Sequence, residues 1–263
     1  MADSYKNLRK IPEGPVATVE LARPEVHNAL SAGLIEEIMR CFDELSADES
    51  VRVVVLTGEG RSFCAGADIS YMRDTASFSY EENVEDARAL AAMFESVERC
   101  AKPVIARVQG AAIGGGVGLV AASDIVVAAE RARFSLSEVR LGIAPATIAP
   151  FVVPKVGASQ ARALFLTSER IDARRAREIG LVHEVVGEED LDAAVGEKVV
   201  ALLSGGPGAQ AACKEIVREV VTLEREAAKE AMARRIAELR TGEEGQEGLS
   251  AFLEKREPRW REA

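Results

Sequence analysis

The chain has 263 residues, 48% of them apolar, and a formal net charge of −10. That is enough apolar material for a sizeable core, which argues against disorder, and the acidic balance argues against a nucleic-acid backbone as the general partner. No run approaches the ~18 apolar residues of a membrane span and the first residues lack the apolar core of a signal peptide, so a cytoplasmic protein is expected.

Residues 16–21 read as a strand that Arg23-Pro24 closes. Residues 29–45 place Leu30, Leu34, Ile35, Ile38, Met39, Phe42 and Leu45 at helical spacing. Residues 51–56 read as a buried strand, followed by Gly58 and Gly60. A helix is expected over 80–100, then strands over 103–108 and 124–129. This alternation predicts an α/β core with parallel strands. After about residue 190 the pattern turns helical, over 191–203, 210–225 and 227–239, with breaks at 204–208 and 241–245 and a last amphipathic segment at 249–255. The expected organisation is an α/β core over 1–195 and a helical region over 196–263. The apolar faces of those helices dock on the core or on another subunit.

Cys41, Cys64, Cys100 and Cys213 form no C-x-x-C pair, and His27 and His183 lie far apart in sequence. Buried free thiols are expected, and a metal site is not.

Two glycine-rich segments stand out, 62–68 (Ser-Phe-Cys-Ala-Gly-Ala-Asp) and 113–118 (Ile-Gly-Gly-Gly-Val-Gly). Each follows an apolar β-branched run and opens into a helix-like stretch. Backbone N–H groups at such a turn lack an intrahelical acceptor, so two facing turns make an oxyanion hole. Taken alone, the first segment also reads as a tight turn that needs small residues, with Asp68 capping the next helical turn. The second, with four glycines between Gly114 and Gly118, is expensive if only packing were needed, since each glycine in a helix costs about 1 kcal/mol relative to alanine. It lacks the G-K-[ST] of a phosphate loop, and Asp124 comes too early for a dinucleotide fingerprint. A third feature is Glu138, set among apolar residues and followed by Ile143-Ala144-Pro145-Ala146. A carboxyl in such surroundings has its charged form disfavoured, which suits a group that takes and returns a proton; the plain alternative is a solvated glutamate beside Arg140.

Together these features resemble the crotonase, or enoyl-CoA hydratase/isomerase, family, over nearly the whole chain. Residues 24–30 resemble its N-terminal coenzyme A loop, residues 166–182 its mid-chain helix signature and residues 248–256 its C-terminal tail. The resemblance implies a crotonase (ClpP-like) spiral core of ββα units with a C-terminal helical trimerisation region. It implies that the N–H groups of Ala67 and Gly115 hold a thioester oxygen beside the catalytic Glu138. Glu25, Val26 and His27 would follow the adenosine and pyrophosphate, Ala65 and Asp68 the adenine side. Lys255 would reach a coenzyme A phosphate from a neighbouring subunit. No cofactor is implied, coenzyme A being part of the substrate. The implied assembly is a homotrimer or a dimer of trimers.

Two positions depart from the family pattern. Hydratases commonly use a second glutamate, which would fall at Gly118, and the water-placing backbone donor corresponds to Ala146 rather than glycine. The run 134–150 is most similar to the bacterial methylglutaconyl-CoA hydratase branch, associated with leucine breakdown. The expected activity is reversible hydration of a 2-enoyl-CoA, with 3-methylglutaconyl-CoA and 3-hydroxy-3-methylglutaryl-CoA as the expected pair. Arg73 and Arg140 are candidates for its free carboxylate, each equally readable as a surface ion pair. The acyl pocket is expected around Met72, Ala144, Pro145 and the 80–100 helix. The alternative is a Δ3,Δ2-enoyl-CoA isomerase, in which one glutamate moves a proton between two carbons. A decarboxylase and a non-catalytic acyl-CoA-binding protein stand behind these.

Overall fold

The structure, a computed structural model, describes residues 5–261. The expected domain ends at 1–4 and 262–263 lie outside the described residues.

The chain opens with the antiparallel pair β1 (Leu8–Glu13) and β2 (Val16–Leu21), then α1 (Ala32–Ala47). Ser31 caps α1 by accepting from Leu34 N–H, which starts the helix three residues later than the apolar spacing suggests. Three strand pairs follow, the first with two helices and each of the others with one. These are β3 (Val53–Gly58) and β4 (Ser62–Cys64) with α2 (Ile69–Thr75) and α3 (Tyr80–Arg99), then β5 (Val104–Val108) and β6 (Ala111–Ile113) with α4 (Gly115–Ala122), then β7 (Ile125–Ala129) and β8 (Arg133–Ser135) with α5 (Ala149–Thr167). In each pair the first strand joins one sheet and the second strand joins another. The larger sheet runs β1-β2-β3-β5-β7 and ends on β10 (Glu184–Val186); the smaller runs β4-β6-β8 and ends on β9 (Ile171–Asp172). Apart from the β1–β2 and β8–β9 pairs, neighbouring strands are parallel. This is the ββα spiral the resemblance implied.

Between β9 and β10 lies α6 (Ala173–Glu178), and after β10 come α7 (Leu191–Leu203), α8 (Pro207–Thr222), α9 (Arg225–Thr241) and α10 (Glu243–Glu254). The central strands are apolar on both faces because both are covered. Val54, Leu56, Ala106, Val126 and Ala128 face the main core between sheets and helices. Val53, Val55, Ile105, Val127 and Ala129 face Leu191, Ala194 and Val195 of α7. Residue 195 therefore lies inside α7, whose first half belongs to the core. Gly157 sits at φ 76° inside α5 and kinks it. Pro207 opens α8 where the sequence pattern starts three residues later, and Glu243 and Glu244 begin α10 inside the expected break at 241–245.

Cys41, Cys64 and Cys100 are buried, but Cys213 is exposed on α8, contrary to the expectation of a buried thiol there. No helix among the described residues is long and apolar enough to cross a membrane.

Candidate active site

The two glycine-rich turns meet. Gly66 has φ 89°, and a side chain added there would lie 2.9 Å from Ile113 O and 3.8 Å from Gly115 N. Leu30 N–H donates to Gly66 C=O (2.7 Å), and Asp68 N–H donates to Leu30 C=O (2.8 Å), a one-residue parallel bridge between Leu30 and Ala67. In such a bridge the central residue of the second strand turns its own N–H to the other side. The Ala67 N–H is thus left facing away from Leu30, on an exposed residue. Gly115 is the first residue of α4, so helix geometry gives its N–H no acceptor. Neither group is used by any hydrogen bond among the described residues.

Gly114, just before α4, has φ 50° and ψ −115°, a conformation that only glycine adopts readily. Its N–H donates to Ser135 C=O (2.8 Å), which ties the turn to the segment leading into Glu138. A side chain added at Gly114 would lie 3.1 Å from Glu138 Oε1. Glu138 begins a single 3-10 turn, Glu138–Leu141, closed by Gly142. Burial raises its carboxyl above the ordinary glutamate value, and its Oε2 is buried without a hydrogen-bond partner. The solvated-face alternative with Arg140 does not hold, because Arg140 donates to Ser168 C=O (3.0 Å) instead.

Ala65, Ala67, Gly115 and Glu138 line one cavity of about 270 Å³, together with Met72, Ala144 and Pro145, as the sequence suggested. Two converging N–H donors beside a protonatable carboxyl can hold a developing oxyanion and move a proton next to it. A larger cleft of about 650 Å³ lies between the big sheet and α7. Its Arg107 and Arg131 are paired with Asp192 and Glu188, and none of the expected site residues lines it.

The remaining expected residues lie outside the cavity's lining. Asp68 is the N-cap of α2: its carboxyl accepts from Ser70 N–H (2.8 Å) and pairs with Arg23 (2.7 Å). Glu25 and Val26 form a 3-10 turn, and His27 follows in the left-handed region, its Nδ1 3.1 Å from Ser62 Oγ. His27 C=O accepts from Ala65 N–H (3.0 Å), so this loop and the first glycine turn are one unit. Asn28, fully buried, fastens them through Glu59 C=O and Ser62 C=O. Lys255 caps the C-terminus of α10 and is exposed. Arg73, on the last turn of α2, is exposed and does not line the cavity.

Position 118, where a second carboxylate is common, is closed. A side chain there would lie 2.7 Å from both Ile148 Cγ2 and Phe94 Cε1. Gly118 is therefore packed beneath apolar side chains and does not line the cavity. The Ala146 N–H is engaged with Ala144 C=O (2.7 Å). The expected 80–100 helix contributes Asp86 and Leu90 to the lining, and Leu30 lines it too; the sequence did not single out Tyr71 or Ile148, which also line it. They come from separate elements, and no local spacing marks them.

A family model described as enoyl-CoA hydratase/isomerase matches residues 12–263. The chain is 38% identical over 235 residues to enoyl-CoA hydratase ACTT6 of Alternaria alternata, covering 88% of this chain and 76% of that protein. It is 33% identical over 259 residues to a crotonyl-CoA hydratase of Syntrophomonas wolfei, covering 96% and 97%. Among solved structures, an enoyl-CoA hydratase from Shewanella pealeana superposes with a TM-score of 0.94 at 39% identity, covering 97% of this chain and 96% of that one.

Proposed function

We propose that this chain, which belongs to the enoyl-CoA hydratase/isomerase family, adds water to a 2-enoyl-CoA thioester and removes it again, with Glu138 as its one proton-transfer group. The observation that carries this reading is the convergence of the Ala67 strand, the Gly115 helix start and the Glu138 carboxyl on one cavity.

In the dehydration direction, the Glu138 carboxylate takes the α-proton of the 3-hydroxyacyl thioester. The electron pair moves onto the thioester oxygen, where the Ala67 and Gly115 N–H groups hold it. Removing one such donor typically costs about 10²–10³ in rate. The carboxyl, now neutral, gives its proton to the β-hydroxyl on the same face, which leaves as water. Hydration runs the same steps backwards. Burial supports this cycle, because it brings the proton affinity of Glu138 nearer to what both transfers need. With position 118 packed on Phe94 and Ile148, a second carboxylate has no room, which supports a one-carboxyl mechanism.

The same observation favours one second reading, a Δ3,Δ2-enoyl-CoA isomerase, since a proton shuttle between the α- and γ-carbons needs no water. Turnover of crotonyl-CoA, followed by loss of the conjugated thioester absorbance, tests the hydratase. A protein that converts a 3-enoyl-CoA to the 2-enoyl isomer while leaving crotonyl-CoA unchanged is the isomerase.

For coenzyme A, we propose the loop at Glu25, Val26 and His27 along the adenosine and pyrophosphate, Ala65 and Asp68 near the adenine, and Lys255 of a neighbouring copy at a phosphate. The helices α8 and α10 leave Val217, Val221, Phe252 and Leu253 exposed, which supports burial between copies in a trimer or a dimer of trimers. The methylglutaconyl substrate requires a partner for its second carboxylate, and the cavity supplies no lysine or arginine.

A further inference from the structure

The α2–α3 wall of the cavity carries a polar pair that the proton transfers do not use. Tyr71, on α2, donates its hydroxyl to Asp86 Oδ1, on α3, and both side chains line the cavity with Met72, Thr75 and Leu90. Tyr71 and Asp86 line the same cavity as the Ala67 and Gly115 donors and Glu138. An acyl chain with its thioester carbonyl in the hole and its far end on the α2–α3 wall meets this pair. Burial first, and then the bond to Asp86, raise the Tyr71 phenol above its ordinary value, so the proton stays on tyrosine. The pair therefore turns only lone pairs toward a ligand. Tyr71 has spent its hydrogen, and no described residue donates to Asp86 Oδ2.

The charge around this pair is one-sided. The lining contains the carboxyl groups of Asp86 and Glu138 and no lysine, arginine or histidine. A chain ending in a carboxylate would bring a second anion to Asp86 with no cation to offset it. A chain ending in a hydroxyl would donate to Asp86 in a charge-assisted hydrogen bond. A purely apolar end would leave the Asp86 oxygen desolvated and unpaired.

We infer that Tyr71 and Asp86 set the acyl specificity of the site: they select an uncharged chain with a hydroxyl at its far end and reject a terminal carboxylate. This rests on the thioester reading of the cavity.

The test compares thioesters of one skeleton that differ only at the end group: 5-hydroxy-3-methylpent-2-enoyl-CoA, 3-methylglutaconyl-CoA and 3-methylpent-2-enoyl-CoA, with crotonyl-CoA as reference. Ratios of kcat/KM are measured in the wild type and in the Asp86→Asn and Tyr71→Phe variants. The wild type is expected to favour the hydroxyl chain over each of the other two by at least about tenfold. In Asp86→Asn the hydroxyl-to-carboxylate ratio is expected to fall by at least about tenfold, mainly through KM, because the repulsion has gone. A wild type that prefers the dicarboxylate, or that turns over crotonyl-CoA but none of the three, overturns the inference. So does an unchanged ratio in Asp86→Asn. A wild type that turns over no enoyl-CoA, crotonyl-CoA included, overturns the thioester reading instead. Should either variant fail to fold, the wild-type ratios alone decide.

Discussion

Replacing Gly114 with alanine attacks the site at the point where backbone strain and chemistry coincide. Gly114 holds φ 50° and ψ −115°, and its ψ orients the next peptide group, which carries the Gly115 N–H. An L-residue held in so sparse a region costs about 1–3 kcal/mol. The added methyl also lies 3.1 Å from Glu138 Oε1 and 3.7 Å from its Cδ, so the carboxyl must move by a few tenths of an ångström. Against a total stability of about 5–15 kcal/mol the protein stays folded, with a Tm lowered by roughly 2–10 °C. Activity suffers more. The chain relieves the strain by rotating about ψ of residue 114, and that rotation swings the Gly115 donor away from the oxyanion. Loss of one such donor is worth about 10²–10³ in kcat. The assay is crotonyl-CoA hydration beside thermal melting. A Gly114→Ala protein with activity within a few-fold of wild type would refute the argument that this turn aims a catalytic N–H, whatever its Tm.

Gly118→Ala gains about 1 kcal/mol of helix propensity but drives a methyl against Phe94 and Ile148 at 2.7 Å, an overpacking cost of about 1–3 kcal/mol. A net loss of about 0–2 kcal/mol in urea unfolding is expected, partly restored by Phe94→Leu; strict additivity of the two changes would contradict the contact. Asp68→Ala removes the α2 cap and the Arg23 partner, for an expected loss of about 1–3 kcal/mol near pH 7. The Asp68 carboxyl is held below its ordinary value, first by the Ser70 hydroxyl. Its contribution is therefore present above the unfolded aspartate value of about 3.9 and lost as pH falls through the lowered folded value, so the variant and wild type should converge in acid. Burial raises Glu138, so the base form is lost as pH falls through a value above the ordinary ~4.3 of glutamate. The acidic limb of kcat/KM should lie above that value, and a limb at or below it would contradict the burial argument.

The strands β3, β5 and β7 were legible because their largely apolar six- and five-residue runs leave few alternatives, and β2 because its buried and half-buried residues alternate. Strands β4, β6, β8 and β9 were not, since two or three residues carry no period, and the second sheet emerges only when they pair. β1 escaped for a different reason: Arg9, Lys10 and Glu13 on an exposed edge strand look like a loop. α5 contains Pro154 and Gly157, which hide the helical pattern in the sequence, and Gly157 kinks the helix that packs against α4. At the site, the glycine turns and Glu138 were readable because glycine is costly where it is not needed and a carboxyl among apolar residues is unusual. Gly118 announced a missing carboxylate but not what fills its place, because Phe94 and Ile148 come from distant positions on either side of it. The Tyr71–Asp86 contact joins residues fifteen apart on two successive helices, where each residue alone looks like an ordinary surface position.

The central claim is that Glu138 alone carries both proton transfers beside the oxyanion donors. The most direct measurement is kcat for hydration of crotonyl-CoA by Glu138→Gln, with thioester affinity measured alongside. The expected result is a fall in kcat of about 10²–10⁴ with affinity changed by less than about tenfold. A Glu138→Gln protein that hydrates crotonyl-CoA within tenfold of the wild-type rate would contradict it and would require a second proton-transfer group elsewhere in the cavity.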